Sequence, residues 1–87
     1  MGIRILLVDD HTILREGLRS LLNREEDMEV VAEKEDGRSA VESALRLTPD
    51  VVVMDIGMDN LNGIDATRRI TALCPGVKVL ALSMHRD

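Results

Sequence analysis

Apolar residues fall into short dense runs, separated by stretches where they recur every three or four positions. Ile3-Arg4-Ile5-Leu6-Leu7-Val8 is β-branched and nearly continuous in apolar character, as expected of a strand buried on both faces. Over residues 12–24, Leu14, Leu18, Leu21 and Leu22 share one helical face. Met28 to Lys34 carries Val30 and Ala32 on one side and Val31 on the other, bordered by Glu29, Glu33 and Lys34, which predicts a half-buried strand near a sheet edge. After Gly37, the residues Val41, Ala44 and Leu45 make a second helical face. It stops before Thr48-Pro49, because proline disfavours helical backbone in the residue ahead of it. Val51-Val52-Val53-Met54 predicts a fully apolar strand ending at Asp55. Ile56 to Asn62 is a polar, glycine-bearing loop. Residues 63–73 form a third helix with Ala66, Ile70 and Leu73 inward, closed by Cys74-Pro75-Gly76. Val77 to Leu82 is another strongly apolar strand, ending at Ser83.

The order is therefore βαβαβαβ with short connections. It implies an α/β fold with parallel strands and helices on both faces. The 87 residues suffice for one domain. Phe, Tyr and Trp are all absent, so the core must be built from Leu, Ile, Val, Met and Ala. The net charge of −5, with two lysines and nine arginines scattered along the chain, argues against nucleic-acid binding by this segment. The single cysteine excludes a disulfide framework and a cysteine-based zinc site. No apolar run is long enough to span a bilayer, and the N-terminus lacks the pattern of a signal peptide, so the expected compartment is the cytoplasm, without membrane partners.

Open parallel sheets carry their functional crevice beyond the carboxyl ends of the strands. The first strand ends in Asp9-Asp10, the third in Asp55 and the fourth in Ser83. Taken singly, Asp10 suits a helix N-cap, Asp55 a solvated loop and Ser83 another cap. Taken together, they bring carboxylates to one crevice, where the like charges call for a cation. An all-oxygen set of hard donors suits Mg²⁺, and no histidine or cysteine is among these strand-end ligands, which weakens a zinc reading. A carboxylate beside such an ion is a competent nucleophile toward phosphorus, and a hydroxyl such as that of Ser83 can donate to the resulting aspartyl phosphate.

Val8-Asp9-Asp10-His11, Met54-Asp55-Ile56-Gly57-Met58, Asn62-Gly63 and Ala81-Leu82-Ser83-Met84-His85 together resemble the receiver domain of bacterial two-component response regulators. Asp9-Asp10-His11 with Arg15, and the Leu82-to-His85 ending, are most similar to receivers that precede a LuxR-type helix-turn-helix domain. The resemblance covers the whole chain. It implies a flavodoxin-like sheet of strand order 2-1-3-4. Asp55 would accept a phosphoryl group from the histidine of a sensor kinase. Asp10 would bind Mg²⁺ directly, Asp9 largely through water, and the backbone carbonyl of Gly57 would complete the metal's protein ligands alongside Asp55. Ser83 would be the hydroxyl that turns toward the phosphate. The implied role is control of a transcriptional output domain, with no catalysis on outside substrates.

Two departures stand out. Asp59 occupies the position where the family usually has proline, adding a charge near the metal site. The resemblance also implies a receiver incomplete at its C-terminus, truncated before strand five. A fourth helix, fifth strand and fifth helix, roughly thirty residues on ordinary domain size, would follow before any output domain. The family lysine at the end of strand five has no counterpart, since Lys34 and Lys78 are the only lysines and both are poorly placed. Strand four would then be an exposed apolar edge, predicting self-association or a homodimer.

Other readings fit the residues less well. A phosphatase of the haloacid dehalogenase type needs Asp-x-Asp after strand one, whereas these acids are adjacent. A flavin would need a phosphate-cradling loop and an aromatic residue to stack on. A receiver-like interaction scaffold that no longer accepts phosphate remains an alternative. His11 and His85 read as residues beside the crevice without a chemical role, Cys74 as a small apolar filler, and Arg68-Arg69 as too small a basic cluster for nucleic acid.

Overall fold

The chain forms β1 (Ile3–Val8), α1 (Thr12–Asn23), β2 (Met28–Lys34), α2 (Gly37–Leu47), β3 (Val51–Asp55), α3 (Asn62–Leu73) and β4 (Lys78–Leu82). The computed structural model describes residues 2–56 and 62–82. The four strands are all parallel and lie in the order β2-β1-β3-β4, as expected. No helix among the described residues is long and apolar enough to cross a membrane.

Alternation along the two central strands divides the core into two layers. Leu6 and Val8 of β1 and Val52 and Met54 of β3 face α2 and α3, where Ala40, Ala44, Ala66 and Ile70 meet them together with Cys74 and Val77. Ile5, Leu7 and Val53 face the other way, against Leu18 and Leu22 of α1. Among the described residues, α2 and α3 therefore cover one face, and α1 covers part of the other. Cys74 is buried as the expected small filler.

Three expected inward residues are exposed instead: Leu21, Leu45 and Leu73. In each helix the core takes the row spaced by four, Leu18–Leu22, Ala40–Ala44 or Ala66–Ile70, and the misassigned leucine flanks that row. Periodicity marks an apolar stripe, but a flank is buried only where a neighbouring element closes over it. The second strand also departs from strict alternation. Ile5 pairs with Val30 but Leu6 pairs with Ala32, so Val31 is the extra residue of a β-bulge. Val30 consequently joins the α1-side layer and Ala32 the opposite one, although alternation puts both on one side.

Gly63, in the first turn of α3, fixes how closely that helix approaches the end of β3. A Cβ there would lie 2.6 Å from the Asp55 carbonyl oxygen and 3.0 Å from the Ile56 Cα. Both obstacles are backbone, so no side-chain rotation relieves the clash. Gly63→Ala is expected to destabilise the fold by about 1–3 kcal/mol as α3 is pushed off β3, read as a lower urea midpoint.

Candidate functional site

From β1 the chain crosses to β2 on one side of the sheet, and from β3 to β4 on the other. The crevice of such a sheet opens between the two strands where the order reverses, here β1 and β3. Val8 pairs with Met54, so Asp9 and Asp55 follow side by side at the carboxyl ends. Both are 1% exposed. Asp10 and His11 keep 34% and 41% of their side chains exposed, so solvent reaches the cluster on their side.

The β1–α1 turn is held by two contacts on Asp9. Its Oδ1 accepts from the His11 backbone N–H at 2.7 Å. Its carbonyl accepts from Arg15 Nη1 at 2.6 Å. Arg15 is anchored in turn by Glu33 of β2, with Nε to Oε1 at 3.2 Å, and Glu33 also accepts from Arg19 at 3.0 Å. His11 occupies the N-cap of α1, yet its side chain makes no capping bond. The N-cap of α2 behaves differently: Asp36 accepts from the Ser39 N–H at 2.8 Å. Asp10 lies one residue ahead of the His11 N-cap and does not cap the first helix.

The His11 ring is directed into the acids. Its Nδ1 lies 3.1 Å from Asp9 Oδ1, 3.0 Å from Asp10 Oδ1 and 3.7 Å from Asp55 Oδ2. One donor atom each of Asp9, Asp10, His11 and Asp55 falls within 4.8 Å of all the others. The three expected aspartates thus converge at one rim of the sheet. Three carboxylates in a largely buried cluster repel one another, and a divalent cation relieves that repulsion. Gly57 and Ser83, with Met58, Asp59 and His85, lie outside the described residues.

The sequence does not announce the His11 ring turned into the acids, nor Arg15 and Glu33 as the frame of the turn. The available signal was adjacency: a histidine following two strand-end acids, with an arginine one helical turn later. Arg15→Met is expected to destabilise the fold by about 1–3 kcal/mol by removing charged hydrogen bonds from a mostly buried side chain, checked by urea unfolding. Lys34 ends β2 at the same rim, its carbonyl accepting from the Asp9 N–H at 3.0 Å, whereas Lys78 begins β4 at the opposite rim. Arg69 pairs along its own helix with Asp65 at 2.9 Å.

Residues 5–87 match the family model described as the response regulator receiver domain. The chain is 48% identical over 85 residues to the transcriptional regulatory protein DegU of Brevibacillus brevis, covering 98% of this chain and 36% of that protein. A solved LuxR-family response regulator from Aurantimonas sp. SI85-9A1 is 41% identical, with a TM-score of 0.90 over all of this chain and 62% of that one. The isolated receiver domain of RcsB from Salmonella enterica serovar Typhimurium, solved in the presence of the phosphomimetic BeF3-, is 26% identical, with a TM-score of 0.86 over 100% of this chain and 65% of that one. The chain spans about two-fifths of the length of the curated relatives it matches.

Proposed function

The chain belongs to the response regulator receiver domain family, and on that footing we propose that it is a phosphoacceptor module whose Asp55 takes a phosphoryl group from the phosphohistidine of a sensor kinase. The observation that carries this reading is the convergence of Asp9, Asp10 and Asp55 at the sheet's switch point. In the transfer, an Asp55 carboxylate oxygen forms a bond to phosphorus as the phosphorus–nitrogen bond of the donor breaks, and the electron pair leaves with the donor's imidazole. The donor set fits Mg²⁺, being rich in hard carboxylate oxygens and open to solvent on the Asp10 side, where metal-bound water and phosphate oxygens have room. Bound there, Mg²⁺ would screen the acids and the incoming phosphoryl oxygens from one another.

The chain's own residues prepare the transfer. Arg15 fixes the backbone that presents Asp9 and Asp10. Gly63 keeps α3 seated against the acceptor's carbonyl. In this reading Gly57 supplies a backbone carbonyl to the metal and Ser83 a hydroxyl to the phosphate, as the family resemblance implies. The new charge on Asp55 biases a two-state surface that governs a transcriptional output domain, in keeping with the relatives named as transcriptional regulators. A cytoplasmic site of action follows from a kinase donor. The β4 edge, whose Leu80 is 55% exposed, offers a surface for a second copy, which sedimentation over a concentration series tests.

The deciding experiment is incubation with acetyl phosphate and Mg²⁺, followed by intact mass. Gain of one phosphoryl group, blocked by prior beryllofluoride, is the expected result. Turnover of added phosphomonoesters would point to a phosphatase, and absence of any modification to an interaction scaffold.

A further inference from the structure

We propose that Glu33, on the edge strand β2, is a positioning residue for the metal site, acting through Arg15 on the peptide that joins Asp9 to Asp10. The inference rests on the reading of Asp9, Asp10 and Asp55 as a Mg²⁺ site and adds a residue from outside that cluster.

Two consecutive residues of β2 hold Asp9 from either end. The Lys34 carbonyl accepts from the Asp9 N–H at 3.0 Å, continuing the pairing of β1 with β2. At the other end, the Asp9 carbonyl accepts from Arg15 Nη1 at 2.6 Å. That carbonyl shares a rigid peptide plane with the N–H of Asp10. Its direction therefore sets the ψ of Asp9 and the φ of Asp10, and with them the line along which the Asp10 carboxylate leaves the chain. A guanidinium holds that direction only if it is itself held. Glu33 supplies the hold: its Oε1 accepts from Arg15 Nε at 3.2 Å, and its Oε2 accepts from Arg19 Nη1 at 3.0 Å. The guanidinium is planar, so anchoring Nε fixes the plane in which Nη1 points. The Arg15 and Glu33 side chains are 16% and 23% exposed, so water screens this pair less than a surface ion pair. A competing partner stands nearby. Glu35 Oε2 lies 3.9 Å from the same Nη1, on a side chain that is 70% exposed. Without the anchor at Nε, that carboxylate draws Nη1 off the Asp9 carbonyl. The peptide then loses its orientation, and Mg²⁺, which demands near-ideal octahedral geometry, is sensitive to that loosening.

The test separates geometry from charge. Mg²⁺ is titrated into the ¹⁵N-labelled parent, Glu33→Asp and Glu33→Gln, and the dissociation constant is read from amide shifts. Glu33→Asp keeps the charge but withdraws the acceptor from Arg15, and is expected to weaken Mg²⁺ binding about tenfold. Glu33→Gln loses the charge but keeps an acceptor at the same reach, and should weaken binding about threefold or less. In an Arg15→Met background, Glu33→Asp should change the constant by less than about twofold, because the path from Glu33 to the turn is already cut. Thermal denaturation establishes that each variant is folded at the titration temperature. A contact that only stabilised the fold would lower the melting temperature and leave the constant of the folded protein where it was. Equal constants for the parent and Glu33→Asp overturn the assignment. So does a larger loss in Glu33→Gln than in Glu33→Asp, or an undiminished effect of Glu33→Asp in the Arg15→Met background. If Mg²⁺ still binds in that case and acetyl phosphate labels the parent, the phosphoacceptor reading stands without it. If the parent binds no Mg²⁺, both readings fall. If the constants change as expected but acetyl phosphate never labels the protein, Glu33 positions a metal site and the phosphoacceptor reading is wrong.

Discussion

Asp55→Asn is expected to abolish labelling by acetyl phosphate while leaving the chain folded. The substitution keeps the size and planarity of a side chain that is 1% exposed at the end of β3, so packing is preserved. It removes the charged oxygen that would attack phosphorus, and a neutral amide is a far weaker nucleophile. It also relieves repulsion with Asp9 and Asp10, so thermal stability without metal should equal or exceed that of the parent. Intact mass reports the first effect and thermal denaturation the second. Undiminished labelling in the variant would show that another residue is the acceptor, with Asp10, the most exposed of the three acids, the first to examine.

Leu6→Ala should bring the largest loss of stability. Leu6 has no exposed surface and lies in the middle of β1, in the layer shared with α2 and α3. Removing its side chain forfeits apolar burial and leaves a cavity that a parallel sheet covered by two helices cannot readily close. The cost is about 2–5 kcal/mol. Domains of this size hold only about 5–15 kcal/mol in total, usually toward the lower end, so the variant should be substantially unfolded at moderate urea. Leu80→Ala is the matched control. That leucine is 55% exposed on β4, and its loss should cost about 0.5 kcal/mol or less. Equal midpoints for the two variants would mean that the core does not sit where β1 is placed.

Taken together, the two variants separate stability from chemistry. The apolar residues of β1 and β3 hold the sheet, and the acids that follow them are carried to the rim as a consequence. A change inside the sheet should alter unfolding and leave the chemistry of the folded fraction intact, whereas a change at the rim should do the reverse. Gly63 and Arg15 belong to both categories: each packs or bonds against backbone that also presents an acid.

The order of elements, the parallel sheet and the meeting of Asp9, Asp10 and Asp55 were legible in the chain itself. Dense apolar runs flanked by periodic stretches leave few topologies open, and parallel strands carry their terminal residues to a common rim. Tertiary structure decided what depends on neighbours distant in sequence. Leu21, Leu45 and Leu73 stay exposed because burial of a helix flank needs a second element beside it, which periodicity does not report. The Val31 bulge, which sends Val30 and Ala32 to opposite faces, arises from pairing register with β1 rather than from β2's own pattern. The His11 ring turns into the acids because the Asp9 carboxylate captures its backbone N–H, a contact set by the path of the turn. Local pattern is a property of the chain, whereas register, flank closure and ring direction come into being only when separate segments meet.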